Sequence, residues 1–287
     1  MMPDGPAIIL FSLHMMNCNS GNIVYPRLLE SRDENGDIVL NIRKGFTLYL
    51  EKSTLLSDTF YLDSSTAAGT HRTILKGKEI EANLYHDKKH QSSLVVTRTV
   101  DGIEVRGILN AEFTIAPAYV SERSSSGAIA HNISQNKEMS HLGIPEDDGV
   151  TKSGSLECHT ARAKREHFPR KFIVELWILT SSEYRAAFNT IDDFLLYIAT
   201  AFNAVALRFI TMTNPKIRFQ LNGITVDNDD VLTKDEVCSV HNEGIRRIVR
   251  GATCGVDVQD TLNRTTYFIN EDIEADIVFL LTRSMID

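Results

Sequence analysis

The stretch KFIVELWIL, Lys171–Leu179, is where the reading of this chain starts. Apart from Lys171 and Glu175 every residue in it is apolar. A strand with one wet face alternates apolar and polar residues, so a run this continuous predicts a strand covered on both faces. Immediately downstream, Thr190 followed by Asp193 is a capping-box pattern, and Ile191, Phe194, Leu195, Ile198, Phe202 and Val205 recur at helical spacing. A long amphipathic helix is therefore expected from about residue 190, broken at Asn214-Pro215. Beyond it, KIRFQLNGI (216–224) reads as a strand, Thr233–Arg250 as a second helix and DIVFLL (276–281) as a further strand. Strand, helix, strand, helix, strand is the opening of an α/β domain.

Upstream the period changes. From Ile23 to Ile115, short segments such as DIVLNI, FTLYLEK, SSLVVTRT, GIEVRGIL and AEFTIA alternate with a period near two, and ENGD, DKKH and VDGI separate them. This predicts an antiparallel, β-rich domain. Residues 121–165 carry SERSSSG, SQNKEMS and PEDDGVTKSGS with few apolar anchors, which predicts a flexible linker. The expected fold class is α+β overall: a β-rich domain over 22–120, the linker over 121–165, and the N-terminal part of an α/β domain over 166–287.

With 287 residues, 43% apolar and 24% charged, the chain can bury a sizeable core. A net charge of −8 without a sustained Lys/Arg block argues against nucleic acid or an anionic membrane as the main partner. No stretch approaches the roughly 20 apolar residues of a membrane span. The run AIILFSLHMM, Ala7–Met16, followed by small polar residues, has the length of a signal-peptide core, so residues 1–21 are expected to direct secretion; a buried first strand is the plain alternative. In that route Asn132 and Asn263, in Asn132-Ile133-Ser134 and Asn263-Arg264-Thr265, would be glycosylation acceptors. Cys18 would leave with the signal, and Cys158, Cys238 and Cys254 would remain as an odd number of thiols.

Arg162-Ala163-Lys164-Arg165 stands at the end of the linker, just before the apolar strand. A subtilisin-like convertase needs an accessible segment with Arg at the first and fourth positions before the bond, where acidic pockets pair with the guanidinium forks. Arg162, Lys164 and Arg165 satisfy that pattern, which predicts cleavage after Arg165 and a removable N-terminal domain, the architecture of a zymogen. A solvated basic loop is the alternative.

The segments VYPRLLESRDENGDIVLNI (24–42), KFIVELWILTSSEY (171–184), AFNAVALRFITMTNPKIRFQLNGI (201–224) and ADIVFLLT (275–282) resemble the reprolysin-type zinc metalloproteases of the metzincin group, and among them the salivary members found in ticks. The resemblance covers roughly residues 23–287 and lies in patterned strands, with no catalytic motif in it. It implies a secreted zinc-dependent endopeptidase precursor acting on extracellular proteins, with a pro-domain up to about residue 165 and a metzincin catalytic domain after it. It also implies a structural calcium at Glu175 and Asp276, since hard cations take carboxylate oxygens; a sheet-edge salt bridge is the plain alternative. Cys158, just upstream of the basic tetrad, is a cysteine-switch candidate, although SLECHTAR departs from the Pro-Lys-x-Cys-Gly pattern of related switches.

The metzincin zinc site is H-E-x-x-H-x-x-G-x-x-H, and it is not in this sequence. The one HxxxH, His86–His90, has Asp87 where the general base belongs and sits in a charged turn of the β-rich region. In the family the zinc helix follows the strand that resembles Asp276–Thr282, so the chain is expected to stop short of it and to be inactive alone. A secreted, non-catalytic binding or inhibitory protein derived from such a protease is the alternative function, and a cytosolic β-rich module a third.

Overall fold

The computed structural model describes residues 7–12, 22–31, 36–66, 68–118, 128–135, 170–228, 236–237, 255–256, 261, 263–266, 273–282 and 285–286. In chain order the elements are β1 (Ala7–Ser12), β2 (Asn22–Val24), β3 (Arg27–Ser31), β4 (Ile38–Arg43), β5 (Phe46–Lys52), β6 (Leu56–Thr66), β7 (Gly69–Lys76), α1 (Gly77–Ile80), β8 (Leu84–Asp87), β9 (Ser92–Thr99) and β10 (Gly102–Ile108). They continue with β11 (Phe113–Pro117), β12 (His131–Gln135), β13 (Lys171–Ser181), α2 (Ser182–Ala186), α3 (Ile191–Arg208), β14 (Lys216–Asp227), β15 (Glu236–Val237), β16 (Gly255–Val256), β17 (Ile277–Thr282) and β18 (Met285–Ile286). Strands dominate, with one long helix, so the chain is β-rich and α+β in outline. No helix among the described residues is long and apolar enough to cross a membrane.

The period-two segments form a nine-stranded sheet in the order β2-β12-β11-β10-β9-β8-β5-β4-β3, antiparallel at every pairing. Its two edge strands, β2 and β3, are separated in sequence only by Tyr25 and Pro26. So short a connection spans about 10 Å at full extension, which forces the two edges of the sheet together. The sheet therefore curls around its inward residues. Leu40, Ile42, Leu48, Leu50, Leu94, Val105 and Ile115 fill the enclosed core, and Val24 of β2 joins the same cluster as Ile38 of β4.

The second sheet has six strands in the order β1-β17-β13-β14-β6-β7. The first five run parallel, and β7 returns antiparallel to β6. The second half of β13, Leu176–Ser181, is buried on both faces, while Lys171, Phe172 and Ile173 at its start are exposed. Leu176 and Ile178 enter the larger core with α3, while Trp177 and Leu179 meet Val278 and Leu280 on the opposite face. Helix α3 begins at the expected cap: the Asp193 amide donates to Thr190 Oγ1 at 3.0 Å, and the Thr190 hydroxyl donates back to the Asp193 carboxylate at 2.8 Å.

Helix α3 also joins the two sheets. Phe194, Leu195, Ile198 and Phe202 share one core with Leu176 and Ile178 of β13, and with Leu84 and Val95 from the outer face of the curled sheet. Buried polar groups complete the contact. Ser93 donates to the Thr200 carbonyl at 2.8 Å, the Asn203 amide donates to Ser93 Oγ at 3.0 Å, and Ser53 donates to Asn203 Oδ1 at 3.1 Å. This is why SSLVV in β9 is buried at every position: Leu94 and Val96 face the curled core, and Ser93 and Val95 face α3.

Three readings are revised. The Leu56–Lys76 hairpin, inside the expected N-terminal domain, leaves the curled sheet and forms an edge of the other. Residues 131–135, inside the expected linker, form β12, because Ile133 is apolar enough to enter the curled core and both neighbouring strands offer it a ladder. Within the expected helix 233–250, Glu236–Val237 is a strand paired with Gly255–Val256; the rest of that segment lies outside the described residues. Ala7–Ser12 forms a strand parallel to β17; residues 13–21 lie outside the described residues.

Candidate functional site

The two residues that the resemblance pairs for calcium are neighbours. Leu176 is in register with Ile277, so Glu175 and Asp276 stand side by side where β17 begins, within a β13 that is already paired with β14 from Lys171. The Glu175 amide donates to Asp276 Oδ2 at 2.8 Å, and the Asp276 amide donates to the Glu175 carbonyl at 2.8 Å. Glu175 is half-buried and Asp276 exposed. Beside them Asn222 sits at the irregularity that shifts the β13–β14 register between Leu176 and Trp177, and its amide donates to the Glu274 carbonyl at 3.2 Å. Two carboxylates at one sheet end are hard donors of the kind calcium takes. Among the described residues no group of three or more His, Cys, Asp or Glu is placed to hold an ion, so a cation here would need further oxygens from amides, carbonyls or water.

The described histidines are otherwise engaged or scattered. His131 is fully buried: its Nε2 accepts from the Val105 amide at 2.9 Å and its Nδ1 lies 2.9 Å from the Ile129 carbonyl, which fixes the neutral tautomer with the proton on Nδ1. His90 contacts Asp87 at 3.2 Å and meets the Phe46 ring edge-on. His86, at the end of β8, has a buried Nδ1 without a partner. Asp87, between them, is drawn away from any metal: its carboxylate accepts from the His90 and Tyr49 amides, each at 2.9 Å. Burial pushes its carboxyl pKa up, but those hydrogen bonds outweigh it and the net shift is down. His86 and His90 thus belong to a strand end and its turn, and with Asp87 they form no ligand group of three among the described residues.

Burial lowers the pKa of His131 from its ordinary 6.5, and that of His86 likewise. The sign for stability follows. The unfolded chain binds protons near pH 6.5 that the folded chain refuses, so stability is full above that pH and falls as the pH drops below it. The loss is at most about 1.4 kcal/mol per pH unit per histidine. Urea denaturation at about pH 7.5 and about pH 5 should show the decline, and His131→Gln should reduce its slope.

Of the sequons, Asn263 is exposed in a helical turn, with Thr265 buried and donating to the Thr261 carbonyl at 2.7 Å. Asn132 lies within β12, half-buried, with its Oδ1 enclosed and unpartnered. Asn263 is the more exposed of the two. Arg162, Lys164, Arg165 and Cys158 lie outside the described residues, as do Cys18, Cys238 and Cys254.

A feature that apolar periodicity does not reveal lies on the other face of β13. Trp177 donates from Nε1 to Thr225 Oγ1 at 2.9 Å, lies against Gly223, and is stacked by Tyr61 of β6 with centroids 6.0 Å apart. Arg72 of β7 lies over both rings, 4.8 Å from Tyr61 and 5.5 Å from Trp177, and is held by two 2.8 Å bonds to the buried Asp63 carboxylate. No protein-family model matches this chain, and no curated protein sequence matches it significantly.

Proposed function

We propose that this chain is the N-terminal portion of a secreted zinc metalloendopeptidase precursor of reprolysin type, which hydrolyses extracellular proteins once processed after Arg165 and whose zinc ligands are not in this sequence. The observation that supports the reading most is the meeting of Glu175 and Asp276. They are separated by 101 positions, and Asp276 bonds the Glu175 backbone twice, its carboxylate accepting from the Glu175 amide and its own amide donating to the Glu175 carbonyl. The parallel β13, β14 and β17 with α3 between the first two also suit the strand-helix-strand order that the resemblance implies. In this reading residues 22–120 belong to the pro-domain, the Arg162-x-Lys164-Arg165 segment meets a convertase, Cys158 is the switch candidate, and Asn263 carries glycan.

The transcript tests it. Coding sequence that runs on past Asp287 into HExxHxxGxxH supports the precursor; a stop codon at that point defeats it. A secreted, non-catalytic binding protein is the second reading, favoured by the core that β6, β8, β9 and α3 share, since such a unit would persist without any catalytic step.

The calcium part has its own readout. Trp177 is the only tryptophan and lies two residues along β13 from Glu175, so bound terbium, a luminescent substitute for calcium, should be sensitised by it. Calcium should displace the signal, and Glu175→Gln together with Asp276→Asn should abolish it. Luminescence that survives the double substitution would place the ion elsewhere.

A further inference from the structure

The segment between the last described residue of β12 and the first of β13 joins two lengths of chain that complete one structure, and the order of strands shows how. In the six-stranded sheet, β14 pairs on one side with β13, and on the other with β6, whose residues precede it by more than 160 positions. The ladder runs from Leu221 against Leu56 to Asp227 against Ser65. Bonds outside the ladder extend it at both ends: the Leu221 amide donates to the Leu55 carbonyl at 2.9 Å, the Asn228 amide to the Ser65 carbonyl at 3.0 Å, and Arg218 to the Thr54 carbonyl at 3.1 Å. Without the hairpin, β14 would present an open row of backbone groups, and Trp177 would lose the Tyr61 ring that covers it.

We propose that the edge of β14 and the outward face of α3 are a docking surface for residues 22–135 as a separate chain, so that a cut between 136 and 169 yields a two-chain complex and releases no fragment. The clasp is the hairpin. Asp63, buried at 2% exposure, fixes the Arg72 guanidinium through both of its oxygens. That guanidinium lies over Tyr61 and Trp177, so the side chains that cover the indole are pinned on the N-terminal piece before they meet the C-terminal one. On the other face, Ser93 and Ser53 reach Thr200 and Asn203 of α3 through buried hydrogen bonds. Leu55, Leu56, Phe60, Leu84 and Val95 enter the same core as Phe194, Leu195 and Ile198. A surface that combines an apolar core, satisfied polar groups and strand addition has the anatomy of a stable interface. The inference goes beyond the proposed function and holds whether or not the chain is a protease precursor.

The test uses the full chain with a site-specific protease sequence inserted between Asp148 and Gly149. After complete cutting, both fragments should elute together from a sizing column at the volume of the uncut chain. Separate elution, or elution in the void volume as aggregate, overturns the proposal. The same chain carrying Tyr61→Ala and Arg72→Ala should keep the parent's far-ultraviolet circular dichroism while uncut. Once cut and diluted, its halves should part at concentrations roughly tenfold or more higher than those at which the parent's halves part. If they hold together as tightly as the parent's halves, the hairpin is not the clasp and the proposal fails. Neither readout involves proteolytic activity of the chain, so failure here leaves the proposed function standing, and failure of that function leaves this result intact.

Discussion

Trp177→Ala is expected to lower the free energy of unfolding by about 3–5 kcal/mol, the range for truncating a large buried aromatic. Trp177 is 1% exposed and packs with Leu179, Val278 and Leu280, while its indole N–H is satisfied by Thr225. The alanine variant would lose the apolar burial, leave a cavity between β13 and the hairpin, and remove the surface on which Tyr61 and Arg72 rest. Gly223 adds to the loss. Its missing side chain is what lets the indole lie close, since a Cβ there would come within 2.6 Å of the ring. No neighbour can move in to fill the space without a backbone shift. Urea denaturation followed by circular dichroism, which does not depend on the lost fluorophore, measures the effect. A loss under about 1 kcal/mol would show that the hairpin does not pack on the indole as described.

Gly107→Ala should cost nearly as much, for a different reason. Gly107 has φ of +136°, a backbone conformation that an L side chain rarely adopts, and a Cβ would lie 2.4 Å from the Ser93 carbonyl oxygen and 3.1 Å from Thr200 Cγ2. The backbone strain contributes roughly 1–3 kcal/mol and the overpacking about the same again. The closest clash is with the backbone of β9, the neighbouring strand, and Thr200 of α3 crowds the same spot, so relief would require β10 to part from β9 and from the helix. The variant should unfold at lower urea with a steepness like the parent's. A parent-like midpoint would mean that β10 and β9 are not held this close.

Both positions show what the sequence did and did not make legible. Strands β5, β9 and β13 and the start of α3 were readable because alternation, continuous burial and a cap each leave a local signature. The hairpin was not, because periodicity records apolar residues and β6 turns Asp63 and Ser65 inward. Arg72 and Thr70 satisfy them across the strand pair, so the inward face is polar and looks like a surface. Nearly every residue of β7 is exposed, which removes the alternation entirely. β12 was missed because His131-Asn132-Ile133-Ser134-Gln135 is short and polar. Its burial depends on His131 bonding Val105 and Ile129, a long-range fact that composition cannot carry. The adjacency of Glu175 and Asp276 came from the resemblance, since neither residue has a spacing or pattern of its own that pairs it with the other.

The order of strands in the six-stranded sheet also bears on how this chain comes off the ribosome. β17, at residues 277–282, is an inner strand between β1 and β13, so the sheet cannot close until residue 282 has been synthesised. The curled sheet, whose pairings are mostly between sequence neighbours, can form first, at the usual pace of about 5–20 residues added per second. The hairpin would then wait for β14 through the synthesis of the residues between Lys76 and Lys216, roughly ten seconds or more at that pace. During that interval the edge of β6 is an unpaired strand with no partner yet made, and long-range pairings of this kind are the slow ones in folding. Until β14 emerges, β6 is therefore a strand edge open to pairing with other nascent chains.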